Sequence, residues 1–118
     1  MDHNVEFLSN ELLDGPLSFD ELLIQSKSST FPHVYQGVEM FPYLRSGDIL
    51  VVDTSLTPKH GSLIICFING ERLVRWLSKK PRPVLLPDNK KYRPIMITGE
   101  VEFKVFGIVT AVVRRREE

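Results

Sequence analysis

The sequence predicts a mostly β, compact and strongly curved domain with one short helix near its N-terminus. Three observations carry that expectation. Short apolar and β-branched runs recur between turn residues from Ile49 onward. An Asn69-Gly70 pair, the strongest short hairpin signal in the chain, joins two of these runs. A capping box, Ser18 with Glu21 three residues on, precedes Leu22, Leu23 and Ile24.

Residues 1–15 are mixed in character and end on Asp14-Gly15-Pro16, a turn signal that marks them as a flexible arm ahead of one domain over 16–118. The helix is expected over 19–25, stopped by the Ser-Lys-Ser-Ser run at 26–29 and by Pro32. Strands are expected over 49–52, 63–68 and 71–77, the last returning from the Asn-Gly turn. Pro81-Arg82-Pro83 breaks the chain before a strand over 84–86, and Pro87-Asp88-Asn89 forms a further loop. A short strand over 95–97 and a long final run over 102–114, bent at Gly107, complete the set.

A chain of 118 residues is long enough for a single core and too short for two. Fifteen basic residues balance fifteen acidic ones, so no global charge drives binding to nucleic acid or an anionic membrane. The apolar runs are far shorter than the roughly 20 residues a spanning helix needs. The first residues carry acids where a secretory signal carries bases. A soluble, cytoplasmic protein is the expectation. Cys66 is the single cysteine and lies in an apolar run, as a core residue rather than a partner of His60. His3, His33 and His60 have no metal-ligand spacing, and neither metal nor cofactor is expected. Trp76 reads as core or as a partly exposed interface aromatic, core being favoured. The Arg114-Arg115-Arg116 cluster, followed by two glutamates, reads as a solvated terminus in preference to a phosphate-binding tail.

The chemistry-bearing stretch is 37–53, GVEMFPYLRSGDILVVD, together with 70–77, GERLVRWL. The first resembles the nucleophile loop of serine–lysine self-cleaving peptidases, with Glu39-Met40 where that family has Ser-Met. The second resembles the hairpin strand bearing the family's general-base lysine, with Arg75 in that place. Gly37, Met40, Pro42, Leu44, Gly47-Asp48, Asp53 and Val74 keep the pattern. From about residue 16 onward the chain resembles the UmuD branch of the LexA-like (S24) peptidases, above all the processed form of UmuD. Later landmarks are Asp53-Thr54-Ser55, His60-Gly61, Leu86-Pro87-Asp88-Asn89, Tyr92, Pro94-Ile95 and the stretch 105–109. The Met40-to-Gly47 loop is one residue shorter than in typical UmuD, nearer the form of signal peptidases and phage repressors.

The resemblance implies a LexA/UmuD C-terminal-type β fold without peptidase chemistry. A glutamate is a poor nucleophile towards an amide, and a guanidinium with a pKa above about 12 cannot serve as a neutral base. Loss of the nucleophile typically removes about a million-fold in rate. No Ala-Gly or Cys-Gly cleavage site stands in the arm, so the chain reads as an already processed, active-like form. If the family geometry holds, Glu39 and Arg75 either face one another as an ion pair or are two unconnected surface residues. Met40, Phe41, Pro42 and Tyr43 are candidates for a peptide-binding cleft. Phe103, Val105, Phe106 and Ile108 are candidates for dimerisation through an exposed strand edge, although a core strand buried on both sides would read the same.

By resemblance, the function is that of a non-catalytic, homodimeric accessory subunit of a Y-family translesion polymerase in the DNA-damage response. A recombinase filament on single-stranded DNA is a further partner, and neither a membrane nor a specific DNA sequence is bound. The alternative is a repressor-related regulator acting through mixed dimers. A peptidase using another nucleophile, or a signal peptidase, ranks below both.

Overall fold

A computed structural model describes residues 29–114 and, as backbone alone, residues 6–9. The eight strands are β1 (Glu6–Ser9), β2 (Thr30–Val34), β3 (Ile49–Asp53), β4 (Leu63–Ile68), β5 (Glu71–Ser78), β6 (Val84–Leu86), β7 (Ile95–Met96) and β8 (Phe103–Arg114). They form one sheet in the order β2-β3-β8-β4-β5-β6-β7, antiparallel throughout this path, with β1 added in parallel to β8. No helix occurs among the described residues, and the helix expected over 19–25 lies outside them.

The strands predicted from Ile49 onward are present, with ends shifted by a residue or so. The β4–β5 hairpin turns at Asn69 and Gly70, both at positive φ (50° and 84°), the backbone an Asn-Gly pair adopts most readily. Successive residues of β4 face opposite ways, so Leu63 and Ile65 enter one core with Leu50, Val52, Val74, Trp76, Val109 and Val112. Ile64 and Cys66 enter a second, with Leu77, Leu85 and Ile108. Trp76 is thus a core residue. Cys66 is fully buried, and burial pushes its thiol up to about 11, the nearby Arg75 pulling weakly the other way. His60 is engaged elsewhere, its Nδ1 accepting the Lys79 amide at 2.9 Å.

β8 organises the sheet. It pairs with β4 along 103–108, with β3 along 108–113 and with β1 along 111–114. The two halves of β8 are thus bordered differently: 108–113 adjoins β3, while 103–107, which carries Phe103, Val105 and Phe106, is paired on its β4 side and has no partner strand on the other among the described residues. Its register against β4 jumps between Ile65 and Cys66, which face Gly107 and Val105, so Phe106 is the extra, unmatched residue of a bulge. Gly107 is required there, because a Cβ on it would sit 2.6 Å from Val52 Cγ1 and 3.1 Å from the Asp53 carbonyl oxygen.

Two strands were not foreseen. β2 contains Pro32, which the sequence pattern reads as a breaker, but β2 is an edge strand and an edge tolerates a missing donor. β1 falls in the stretch expected to be a flexible arm; its backbone pairs with the part of β8 that outruns β4, an interaction that leaves no hydrophobic signature.

Candidate functional site

The loop joining β2 to β3 is closed by extending their ladder: the Tyr35 amide donates to Asp48 O and the Gly47 amide to Tyr35 O, each at 2.8 Å. Gly47 holds φ at 96°, a left-handed position suited to glycine. Met40 and Leu44 are fully buried and plug the loop into the first core. The Tyr35 hydroxyl accepts the Met40 amide at 3.1 Å, and the Leu44 amide donates to Met40 O at 2.8 Å. Asn89 clips the loop from above, its amide donating to Glu39 O and its side-chain Nδ2 to Val38 O, both at 2.9 Å. Asp88 accepts the Tyr43 amide and the Trp76 indole N–H, each at 3.3 Å, while the Tyr43 and Trp76 rings meet edge to face at 4.8 Å.

The far end of the loop is held by charge. Asp48 is buried and receives Arg114 in a fork, Nε to Oδ1 at 2.9 Å and Nη2 to Oδ2 at 2.7 Å. The same carboxylate accepts the Arg45 amide at 2.8 Å, and Arg114 Nη2 also donates to Tyr43 O at 3.0 Å. Arg114 is therefore a structural clamp and no part of a solvated tail; Arg115 and Arg116 lie outside the described residues.

Glu39 and Arg75 do line one cavity, of about 150 Å³, between the end of β2 and the stretch 72–75 of β5. β6 pairs with β5 only from Trp76 to Ser78, and β2 pairs only with β3, so the cavity lies between two unpaired edges. These strands are four places apart in the sheet order, and only a strong curl brings them together. Yet Glu39 and Arg75 form no ion pair within 4.0 Å, so the first of the two alternatives left open by the sequence does not hold. The Glu39 Oε1 accepts the neighbouring Val38 amide at 3.0 Å. Arg75, only 7% exposed, donates Nη1 to its neighbour's carbonyl, Val74 O, at 2.9 Å, and its buried Nε has no partner. Neither are the two unconnected surface residues, since they share the cavity.

The electrostatics of this cavity follow from burial first. Tyr35 is raised above its ordinary value by burial, with Glu39 adding to the rise and the Met40 hydrogen bond and Arg75 opposing it. His33, also lining the cavity, is lowered by burial and secondarily by Arg72. Among the described lining residues none is Ser, Thr, Cys or Lys, so the cavity offers neither a hydroxyl or thiol of nucleophile type nor an amine base beside Glu39.

The other candidate residues scatter. Met40 is core, Phe41 (51% exposed) and Pro42 face solvent, Tyr43 packs on Trp76, and none of the four lines the Glu39–Arg75 cavity. On β8, Phe103 and Val105 are half-buried against the second core and Ile108 is buried in it. Phe106 alone of those four is well exposed, its ring 6.4 Å from that of Phe31 and 6.5 Å from that of Phe67. The sequence reading missed Tyr35, Arg72 and the Asp48–Arg114 clamp; an acid directly after a loop glycine and a base at the end of an apolar strand were the available signals. No group of three or more potential metal ligands occurs among the described residues.

Residues 3–110 match the family described as Peptidase S24-like. Protein MucA of Salmonella typhimurium is 35% identical over 96 residues, covering 80% of this chain and 66% of that protein. Protein ImpA of Shigella flexneri is 38% identical over 77 residues, covering 64% of this chain and 51% of that protein. LexA repressor of Geotalea uraniireducens is 28% identical over 109 residues, covering 91% of this chain and 54% of that protein. The chain thus spans about two thirds of the length of MucA and about half that of the other two. The curled sheet, the plugged loop ending in Gly47-Asp48 and the match over nearly the whole length agree: the chain belongs to the S24-like peptidase family, on its UmuD branch.

Proposed function

We propose that this chain acts without peptidase chemistry, as a UmuD-prime-like accessory subunit of a translesion polymerase in the DNA-damage response. What supports the non-catalytic half is that Glu39 and Arg75, which by sequence resemblance stand where the family has its nucleophile and base, line one cavity, and no serine or lysine joins them among the described lining residues. The polymerase half rests on the resemblance to UmuD. The protein acts as a homodimer in the cytoplasm, joined through the side of β8 at 103–107 that no described strand covers, with the exposed Phe31–Phe106 aromatic patch beside it.

Two measurements test this. Intact mass after incubation with an activated recombinase filament stays unchanged; a time-dependent cleavage product would refute the loss of chemistry. Affinity capture from damaged cells recovers a Y-family polymerase. Recovery of a helix-turn-helix repressor in its place would favour the second reading, mixed dimers with a repressor, which the similarity to LexA repressor over 91% of this chain supports.

A further inference from the structure

We infer that the two turns flanking β6 form a surface for single-stranded nucleic acid, held without regard to its sequence. Lys80, Arg82, Lys90, Lys91 and Arg93 meet its phosphates, and Tyr92 stacks on a base. The inference stands apart from the polymerase reading, because it rests on where this chain carries its charge.

A chain with no net charge distributes it unevenly. Residues 79–101 hold six basic and two acidic side chains, so the remainder is acidic on balance. Lys79, Lys80 and Arg82 lie on the turn from β5 to β6, and Lys90, Lys91 and Arg93 on the turn from β6 to β7; all six are exposed. β6 is three residues long, so its ends are only about 7 Å apart. Both turns therefore border the same edge of the sheet, where β7 is the last strand of the order.

Most of this charge is uncommitted. Lys79 Nζ donates to Pro58 O at 2.8 Å, whereas the side chains of Lys80, Arg82, Lys90, Lys91 and Arg93 form no hydrogen bond or ion pair with any described residue. Of the two acids in the stretch, Asp88 is already engaged by the Tyr43 amide and the Trp76 indole N–H. Glu100, beyond β7, is the other.

The turns are also held in place, unlike a loose basic tail. Asn89 accepts the Lys91 amide on Oδ1 and the Tyr92 amide on O, each at 3.0 Å, and is itself bonded to Glu39 O and Val38 O. On the other turn, His60 Nδ1 accepts the Lys79 amide, Ser78 Oγ donates to Lys80 O at 3.2 Å, and Pro81 and Pro83 bracket Arg82. Cations borne on a fixed backbone lose less freedom on binding.

A row of unbonded cations calls for a partner with repeated negative charge, which a phosphodiester chain supplies at every nucleotide. Tyr92 favours a single strand: it is 41% exposed between Lys91 and Arg93, and a ring among cations stacks on an unpaired base, which a duplex keeps inside. An anionic lipid surface is ordinarily met by a basic amphipathic helix, and no helix occurs among the described residues.

The test is fluorescence anisotropy of a labelled oligothymidylate of about 12 nucleotides, titrated with the full-length protein at low and at physiological salt. Binding is saturable, and log affinity falls with log salt by about 0.7 for each phosphate met. Arg82→Glu and Lys91→Glu each weaken it several-fold, together at least about tenfold, and flatten the salt slope. Arg82→Gln/Lys91→Gln goes the same way less far and stands in should the reversal disturb the fold. Tyr92→Ala weakens binding at least about fivefold with the slope unchanged. Lys59→Glu, an equal change of charge on another turn, leaves the affinity within about twofold. A duplex of the same length binds more weakly. Residues 1–28, with six acids and one base, are the rival occupant, and failure of the full chain to bind at low salt would assign the surface to them. That result, an equal loss in Lys59→Glu, equal affinity for the duplex, or attachment to phosphatidylglycerol vesicles without binding to the oligonucleotide would each overturn the inference.

Discussion

Two arginines, Arg114 and Arg75, sit in the same small domain and are treated in opposite ways. Arg114 meets Asp48 through both prongs of its fork, adds the Tyr43 carbonyl, and locks the end of the β2–β3 loop. Arg75 is more deeply buried, makes one bond to its own neighbour's carbonyl and leaves Nε unbonded. A charge-assisted fork at the loop's end is structural reinforcement, whereas a buried guanidinium with one bond to its neighbour's carbonyl is a charge with little to compensate its burial.

The sharpest way to break this contrast is to remove each arginine in turn. Arg114→Met strands the buried Asp48 carboxylate and is expected to cost about 3 kcal/mol, read by urea denaturation. A loss near zero would mean that the clamp is ornamental. Next in size, Tyr35→Phe deletes the hydroxyl that accepts the Met40 amide in the buried loop, at an expected cost of about 1 to 2 kcal/mol. The opposite sign is expected on the cavity side: Arg75→Met replaces an underpaired buried charge by an apolar chain and stabilises by about 1 kcal/mol. Destabilisation of the same size as in Arg114→Met would erase the distinction between the two sites.

The smallest effect is a pH slope. His33 has its folded pKa below the ordinary 6.5, through burial and then Arg72. The unfolded chain therefore binds more protons in that window, and stability falls as pH drops through about 6.5, levelling off below the folded value. His33→Gln removes this part of the acid-side slope, measured as the change of denaturation midpoint with pH. An unchanged slope would place His33 in a more solvated setting than the cavity wall.

Much of this was legible in the sequence, for reasons that differ by element. β4 and β5 announced themselves because a continuous apolar, β-branched run and its returning partner flank an Asn-Gly turn, a signal wholly local to the chain. Met40 and Leu44 belonged to a recognisable loop pattern, but whether Met40 lines a cleft or plugs a core depends on which way the loop lies over the sheet. β2 was hidden by Pro32, because whether a proline is tolerated depends on the strand's place in the sheet, which composition does not encode. Phe106 was grouped with Phe103 and Val105 because the run is almost continuously apolar; alternation along β8 puts it on the exposed side with Lys104. The Glu39–Arg75 pairing failed on a finer scale. Sequence resemblance brought both residues to one cavity, and competing local acceptors, Val74 O for the guanidinium, and donors, the Val38 amide for the carboxylate, decided where their hydrogen bonds went.

The central position of β8 has a kinetic consequence. The longest closures of the sheet pass through a strand that comes last in chain order among the described residues: β3 meets it across more than fifty positions and β1 across about a hundred. The β4–β5 hairpin, by contrast, closes over a two-residue turn. Folding therefore starts from that hairpin as a local nucleus and stays open until β8 arrives to join both flanks at once, so the slow step is the docking of one strand.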